Sequence, residues 1–153
     1  MGLLSGLMKE ELVELDLNAG NKEEVIRMMA KRVSAVERVA NEDELVRAIL
    51  DRENLESTGI GKGVGIPHAR TEAVDHIVLA LARSREGVDF NSLDGKPVHL
   101  IFLIVAPESA KSSYIKVLAH ISRLLRKDEF RKSLMEVNQA SEAIDLVARN
   151  EIS

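Results

Sequence analysis

Apolar residues along this chain switch between two periods, and the switches mark its elements. Leu12 to Leu17 (LVELDL) alternates apolar and acidic residues, which predicts a short half-buried strand. In KEEVIRMMAKRVSAV, the residues Val25, Met28, Met29, Val33 and Val36 recur at helical spacing. They predict an amphipathic helix with both methionines in the core. Asn21 stands before it with Glu24 three positions on, a start resembling a capping box. Asn41 caps a second helix, EDELVRAILDRENL, with Leu45, Ala48, Ile49 and Leu55 facing inward. Its early acids suit the positive end of the helix dipole.

GVGIPHA then predicts a short strand, followed by HIVLALARS (76–84) and PVHLIFLIVA (97–106). The last is apolar almost throughout, as a strand covered on both faces is. Asp94-Gly95 supplies the turn between them. Helical spacing returns in SSYIKVLAHISRLL, DEFRKSLMEV and SEAIDLVAR. Strand, two helices, several strands and then helices describe a central sheet with helices packed on it, an α/β or α+β sandwich. Residues 1–10 carry no clear period and read as a poorly specified extension of one domain spanning 1–153.

Composition narrows the chemistry. Aromatics make up only 3% of the 153 residues, so Leu, Ile, Val, Ala and Met must build the core. Cysteine is absent, which excludes disulfides, thiol catalysis and cysteine-ligated metals. A net charge of −4 argues against nucleic acid as the main partner. No apolar run approaches the ~20 residues of a membrane span, and the N-terminal run is wrongly flanked for a secretory signal. A cytoplasmic protein without direct membrane insertion is expected.

The candidate chemistry lies in TGIGKGVGIPHAR, Thr58 to Arg70, where Gly59, Gly61, Gly63 and Gly65 precede Ile66, Pro67 and His68. Glycines expose main-chain N–H groups to an approaching anion, and Pro67 stiffens the chain just before the histidine. A neutral imidazole keeps one lone pair for attack on phosphorus while its other nitrogen is held. Gly61, Gly63 and Gly65 are candidate phosphate supports, with Arg70 or Arg52 as the cation. An ordinary glycine-rich turn beside a solvated histidine fits the same residues, and Arg52 equally suits a helix C-terminus. A P-loop is excluded because no Lys-Ser/Thr pair follows the glycines. The dinucleotide fingerprint is excluded because a proline stands where a helix must open. His76, His99 and His120 lack metal-ligand spacing and read as structural, so neither metal nor cofactor is expected. RLLRK, Arg123 to Lys127, reads as a solvated helix face or a docking element.

The TGIG…IPH motif, the preceding LDREN, the strand pair and the closing amphipathic helices together resemble a known family, from about Leu12 to Ala148. That family is the IIA domain of the fructose–mannitol class of the bacterial phosphoenolpyruvate-dependent phosphotransferase system, including the nitrogen-regulatory IIA proteins. The resemblance implies a central mixed β-sheet flanked by helices on both faces. It also implies a phosphohistidine carrier, with His68 accepting a phosphoryl group from an HPr-type protein and Arg52 as the active-site arginine. The acceptor would be a IIB cysteine in sugar uptake, or a regulatory target bound according to phosphorylation. Many members carry a second histidine where this chain has Tyr114. His120, six residues on, falls about 240° away around the helix and is a poor substitute.

Overall fold

The computed structural model describes residues 2–55 and 57–151. Five of its strands lie in the order β1-β5-β6-β3-β2, and a sixth, β4, also pairs with β6. They span β1 Val13–Glu14, β2 Gly59–Gly61, β3 Val64–Gly65, β4 His68–Arg70, β5 Val78–Val88 and β6 Val98–Ala106. β5 and β6 pair antiparallel, whereas β1 runs parallel to β5 and both β3 and β4 run parallel to β6. The sheet is therefore mixed.

Both faces of the central strand are buried, and the two-residue period of the strand sorts its side chains. Leu100, Phe102, Ile104 and Ala106 enter one core with Leu79 and Leu81. That core is closed by helices α3 (Lys111–Leu125), α4 (Asp128–Glu136) and α5 (Ala140–Glu151). Ile101, Leu103 and Val105 enter the other with Val78, Ala80 and Ala82, beneath α1 (Lys22–Val36) and α2 (Glu42–Leu55). This is the sheet with packed helices that the apolar pattern predicts, with the helices on both faces as the resemblance implies.

Helix starts follow their caps. Asn21 Oδ1 accepts from Glu24 N at 2.9 Å and Asn41 Oδ1 from Glu44 N at 3.1 Å. The inward faces differ from expectation at two positions. Met29 is buried but Met28 is 40% exposed, and Leu55 is 82% exposed at the end of α2. Ile26, Ala30 and Val46 are buried apolar residues that the simple spacing leaves out. The strand expected over Leu12–Leu17 shortens to Val13–Glu14 after a 3-10 turn, Glu10–Leu12. Leu17 N still reaches Arg83 O at 2.9 Å, so the segment hugs the edge of β5. Residues before this turn are packed too. Leu4 is 1% exposed, and the amides of Leu4 and Ser5 donate to the Glu151 carboxylate at 2.8 and 3.1 Å.

Arg83 on β5 is buried on the α3–α5 side. Its Nε donates to Leu15 O at 3.0 Å, and its Nη1 donates to Leu134 O at 3.0 Å and Val137 O at 2.7 Å. Carbonyls at the end of α4 have no intrahelical partner, so the guanidinium satisfies them with charge-assisted bonds. Burial pulls the Arg83 pKa down, yet an arginine stays protonated at any ordinary pH. Arg83→Ala should destabilise the fold by about 3 kcal/mol through the stranded carbonyls. Urea unfolding would show this as a lower midpoint at unchanged slope; a loss under about 0.5 kcal/mol would mean that water replaces the side chain.

Candidate functional site

The cleft around His68 starts from one register. Val64 lies opposite Leu100 and His68 opposite Ile104, the same offset, so β3 and β4 are one strand interrupted at Ile66-Pro67. Pro67 has no N–H to give, but its carbonyl accepts from Ile104 N at 3.1 Å and the register survives. Val64 and Ile66 sit in the core beneath α3. Strand alternation therefore turns His68 and Arg70 to that side, while Ala69 enters the other core.

His68 Nδ1 lies 2.6 Å from Ile66 O. A carbonyl only accepts, so the neutral ring carries its proton on Nδ1 and keeps the Nε2 lone pair. Burial pulls the His68 pKa below its ordinary 6.5 and outweighs the raising effect of the Ile66 carbonyl; Arg52 lowers it further and Glu53 raises it. The imidazole is thus neutral near pH 7.

Two helices meet over this histidine. Arg52 comes from the last turn of α2 and Tyr114 from the first turn of α3. The Tyr114 ring centroid lies 6.1 Å from that of His68, at 53° between planes. Burial pushes the Tyr114 pKa up to about 12, against the opposing pull of Arg70 and Arg52, so its hydroxyl stays a neutral donor. The cleft is about 410 Å³, lined by Arg52, His68, Arg70, Glu108, Lys111 and Tyr114, with Ile115 and Leu118 on its apolar side.

The structure thus brings four of the expected residues together: His68, Arg52, Arg70 and Tyr114. It does not bring the glycines. Lys62 and Gly63 form the turn of the β2–β3 hairpin, and Gly63 lies five residues from His68 along extended chain, about 16 Å. Gly61 lies beside Asp94, and a Cβ on Gly65 would come within 3.0 Å of Phe90. These glycines serve a tight turn and close packing, away from the imidazole. Their spacing alone does not reveal which way a hairpin folds back.

Three residues were not expected. Glu53 is buried, accepting from Thr58 N at 2.8 Å and Thr58 Oγ1 at 2.6 Å, with Lys22 Nζ at 3.4 Å. It anchors the start of the glycine segment next to Arg52, and a carboxylate adjacent to a candidate arginine was the available signal. Glu108 pairs with Arg70 at 2.8 Å, and Lys111 lines the same mouth. Nothing before folding ties the β6 end to β4. The remaining histidines are elsewhere. His76 lies between Asp75 (2.5 Å) and Glu37 (2.8 Å), which raise its pKa. His99 Nδ1 faces Ser84 O at 2.9 Å, and His120 does not line the cleft. Among the described residues no helix is long and apolar enough to cross a membrane.

The family model for the phosphoenolpyruvate-dependent sugar phosphotransferase system, EIIA 2, matches residues 6–150. The fructose-specific EIIABC component of Bacillus subtilis is 36% identical over 97% of this chain, which spans 23% of that relative. The fructose-specific EIIA component of Haloferax volcanii is 34% identical, covering 95% of this chain and 94% of the relative. A nitrogen regulatory protein of Bradyrhizobium diazoefficiens is 32% identical at the same coverage. Among solved structures, nitrogen regulatory protein IIA-Ntr of Neisseria meningitidis superposes with a TM-score of 0.88 at 32% identity, covering 95% of this chain and 99% of that one.

The two perturbed histidines should titrate apart in an NMR pH series, His68 below 6.5 and His76 above it. The lowered His68 favours the folded protein above pH 6.5 and loses that contribution as pH falls towards its folded pKa. The raised His76 acts the other way, contributing below 6.5 and fading as pH rises through its folded pKa. Coincident titrations would contradict the burial and pairing described here.

Proposed function

For a chain that belongs to the EIIA 2 family of the phosphoenolpyruvate-dependent sugar phosphotransferase system, we propose a phosphohistidine carrier working through Nε2 of His68. The observation that carries this reading is the Nδ1 contact to Ile66 O, which leaves the Nε2 lone pair in a cleft shared with Arg52 and Arg70. The donor is the phosphohistidine of an HPr-type protein docked over the apolar side at Ile115 and Leu118. Nε2 forms its bond to phosphorus as the donor N–P bond breaks, and the departing imidazole recovers its lone pair. The Nδ1 proton stays on His68, where the Ile66 carbonyl stabilises the cation that forms. Arg52 and Arg70 supply positive charge to the phosphoryl oxygens, and Tyr114 supplies a neutral O–H. The group then passes to a IIB cysteine. The whole chain acts as one carrier domain.

A regulatory reading, in which phosphorylation switches binding to a target protein, is favoured by the tyrosine at position 114. An ionisable histidine there would share proton chemistry with the phosphoryl group, whereas a phenol held near 12 does not. The similarity to nitrogen regulatory proteins points the same way.

Incubation with phosphoenolpyruvate, enzyme I and HPr should add one acid-labile phosphate to the protein and none to His68→Ala. Arg52→Ala should slow labelling by roughly 10²–10³-fold, as expected when one charge-stabilising donor is removed. Equal labelling of wild type and His68→Ala would sink the proposal. Comparing Tyr114→His and Tyr114→Phe then separates the readings. Faster transfer to a IIB protein in Tyr114→His alone marks the tyrosine as a brake on transport, and no change in either variant removes it from the transfer step.

A further inference from the structure

The glycine hairpin that turns away from His68 overhangs a second groove. Its two turn residues, Lys62 and Gly63, have φ of +59° and +75°, as a two-residue type I′ turn requires. The turn projects the Lys62 side chain from a position where a non-glycine residue is uncommon. Beneath it lies a groove of about 290 Å³, between the turn, β5 and α4, with Leu100 and Met135 as apolar floor. Leu100 stands four residues along β6 from Ile104, the partner of His68, so the groove lies about 13 Å from the transfer site along that strand.

Its charges are unbalanced. Lys62 from the turn, Arg85 from β5 and Lys132 from α4 are exposed at the rim. Among the described residues no carboxylate is ion-paired to any of the three. Arg131 is already engaged, pairing with Asp128 and donating to Leu125 O at 2.6 Å. Asp128 is thus neutralised within the groove, and Asp94 accepts from Lys62 N at 3.2 Å just outside it. Three unpaired cations from three separate elements meet over one apolar floor, in a chain whose net charge is −4. Self-repulsion among them falls when an anion sits between them. Three cations match a phosphate monoester, which carries roughly −1.5 to −2 near neutral pH, better than a single carboxylate. The floor accommodates a carbon body, and the volume falls at the small end of ligand sites.

We propose that this groove is a second, non-covalent anion site that binds a small phosphate monoester between Lys62, Arg85 and Lys132. Occupancy there is independent of phosphoryl transfer at His68. The test is an amide NMR titration of the ¹⁵N-labelled full chain at constant ionic strength. The probes are glucose 6-phosphate, AMP and inorganic phosphate, with glucose and adenosine as unphosphorylated controls. Expected are saturable shifts at Gly63, Arg85, His99 and Lys132 with at least one monoester. They persist in His68→Ala and weaken about tenfold or more in the Arg85→Ala/Lys132→Ala double variant. Inorganic phosphate acting as well as the monoesters would support the same anion site with free phosphate as its source. Shifts that fail to saturate, centre on His68 and Arg52, or survive the double substitution overturn the proposal. So does saturable binding of a polyglutamate peptide with none of any phosphate. A well-dispersed spectrum of the double variant confirms that it folds, and its undiminished labelling at His68 keeps this test separate from that of the carrier reading.

Discussion

Everything at the His68 cleft depends on one unbroken parallel register between residues 64–70 and β6. Strand β6 is buried on both faces and paired on both edges, so a one-residue slip would exchange its two apolar sets between the two cores and disrupt the packing of both. Val64 and His68 share one offset on it across Ile66-Pro67. That register decides which face His68 points to, and it places the Ile66 carbonyl where Nδ1 can reach it. A shift by one residue would exchange His68 with Ala69 and put the imidazole into the core beneath α1 and α2.

The register also separates two chemistries that lie close in sequence. One end of the Thr58–Arg70 segment carries a neutral, half-buried imidazole between arginines. The other carries Lys62 over a different groove. Burial acts oppositely on the two groups in the cleft, lowering the His68 pKa and raising that of Tyr114, and in both cases it favours the uncharged form. A pair of neutral side chains flanked by fixed guanidinium groups suits an anion that enters from outside. Desolvation thus keeps the imidazole uncharged more than any ion pair does.

Legibility in the sequence followed the physics of each signal. Helix caps at Asn21 and Asn41 are local, so they were readable and hold in the structure. The continuous apolar run of β6 announced a strand covered on both faces, and it is. Met28 and Leu55 show the limit: helical spacing reports a face, but which end of that face another element covers is a tertiary matter. Arg83 carried no signal at all, because the carbonyls that it satisfies, on Leu15, Leu134 and Val137, all lie more than fifty residues away in sequence. In the site, His68, Arg52, Arg70 and Tyr114 were legible from motif and resemblance. Glu108 was not, because its pairing with Arg70 requires β4 to lie beside β6.

From its sequence alone the chain determined its helices, its central strand, a cysteine-free and aromatic-poor core, and a histidine presented just after Ile-Pro. These depend on periodicity, capping and the backbone preferences of proline, all of which act within a few residues. Only the tertiary structure decided what the glycines do. Positive φ at Gly61, Lys62 and Gly63 closes a tight hairpin, and its pairing sends that turn along β6 away from the imidazole. Backbone freedom is a local property, but the direction in which a free backbone folds is set by the strand that it pairs with.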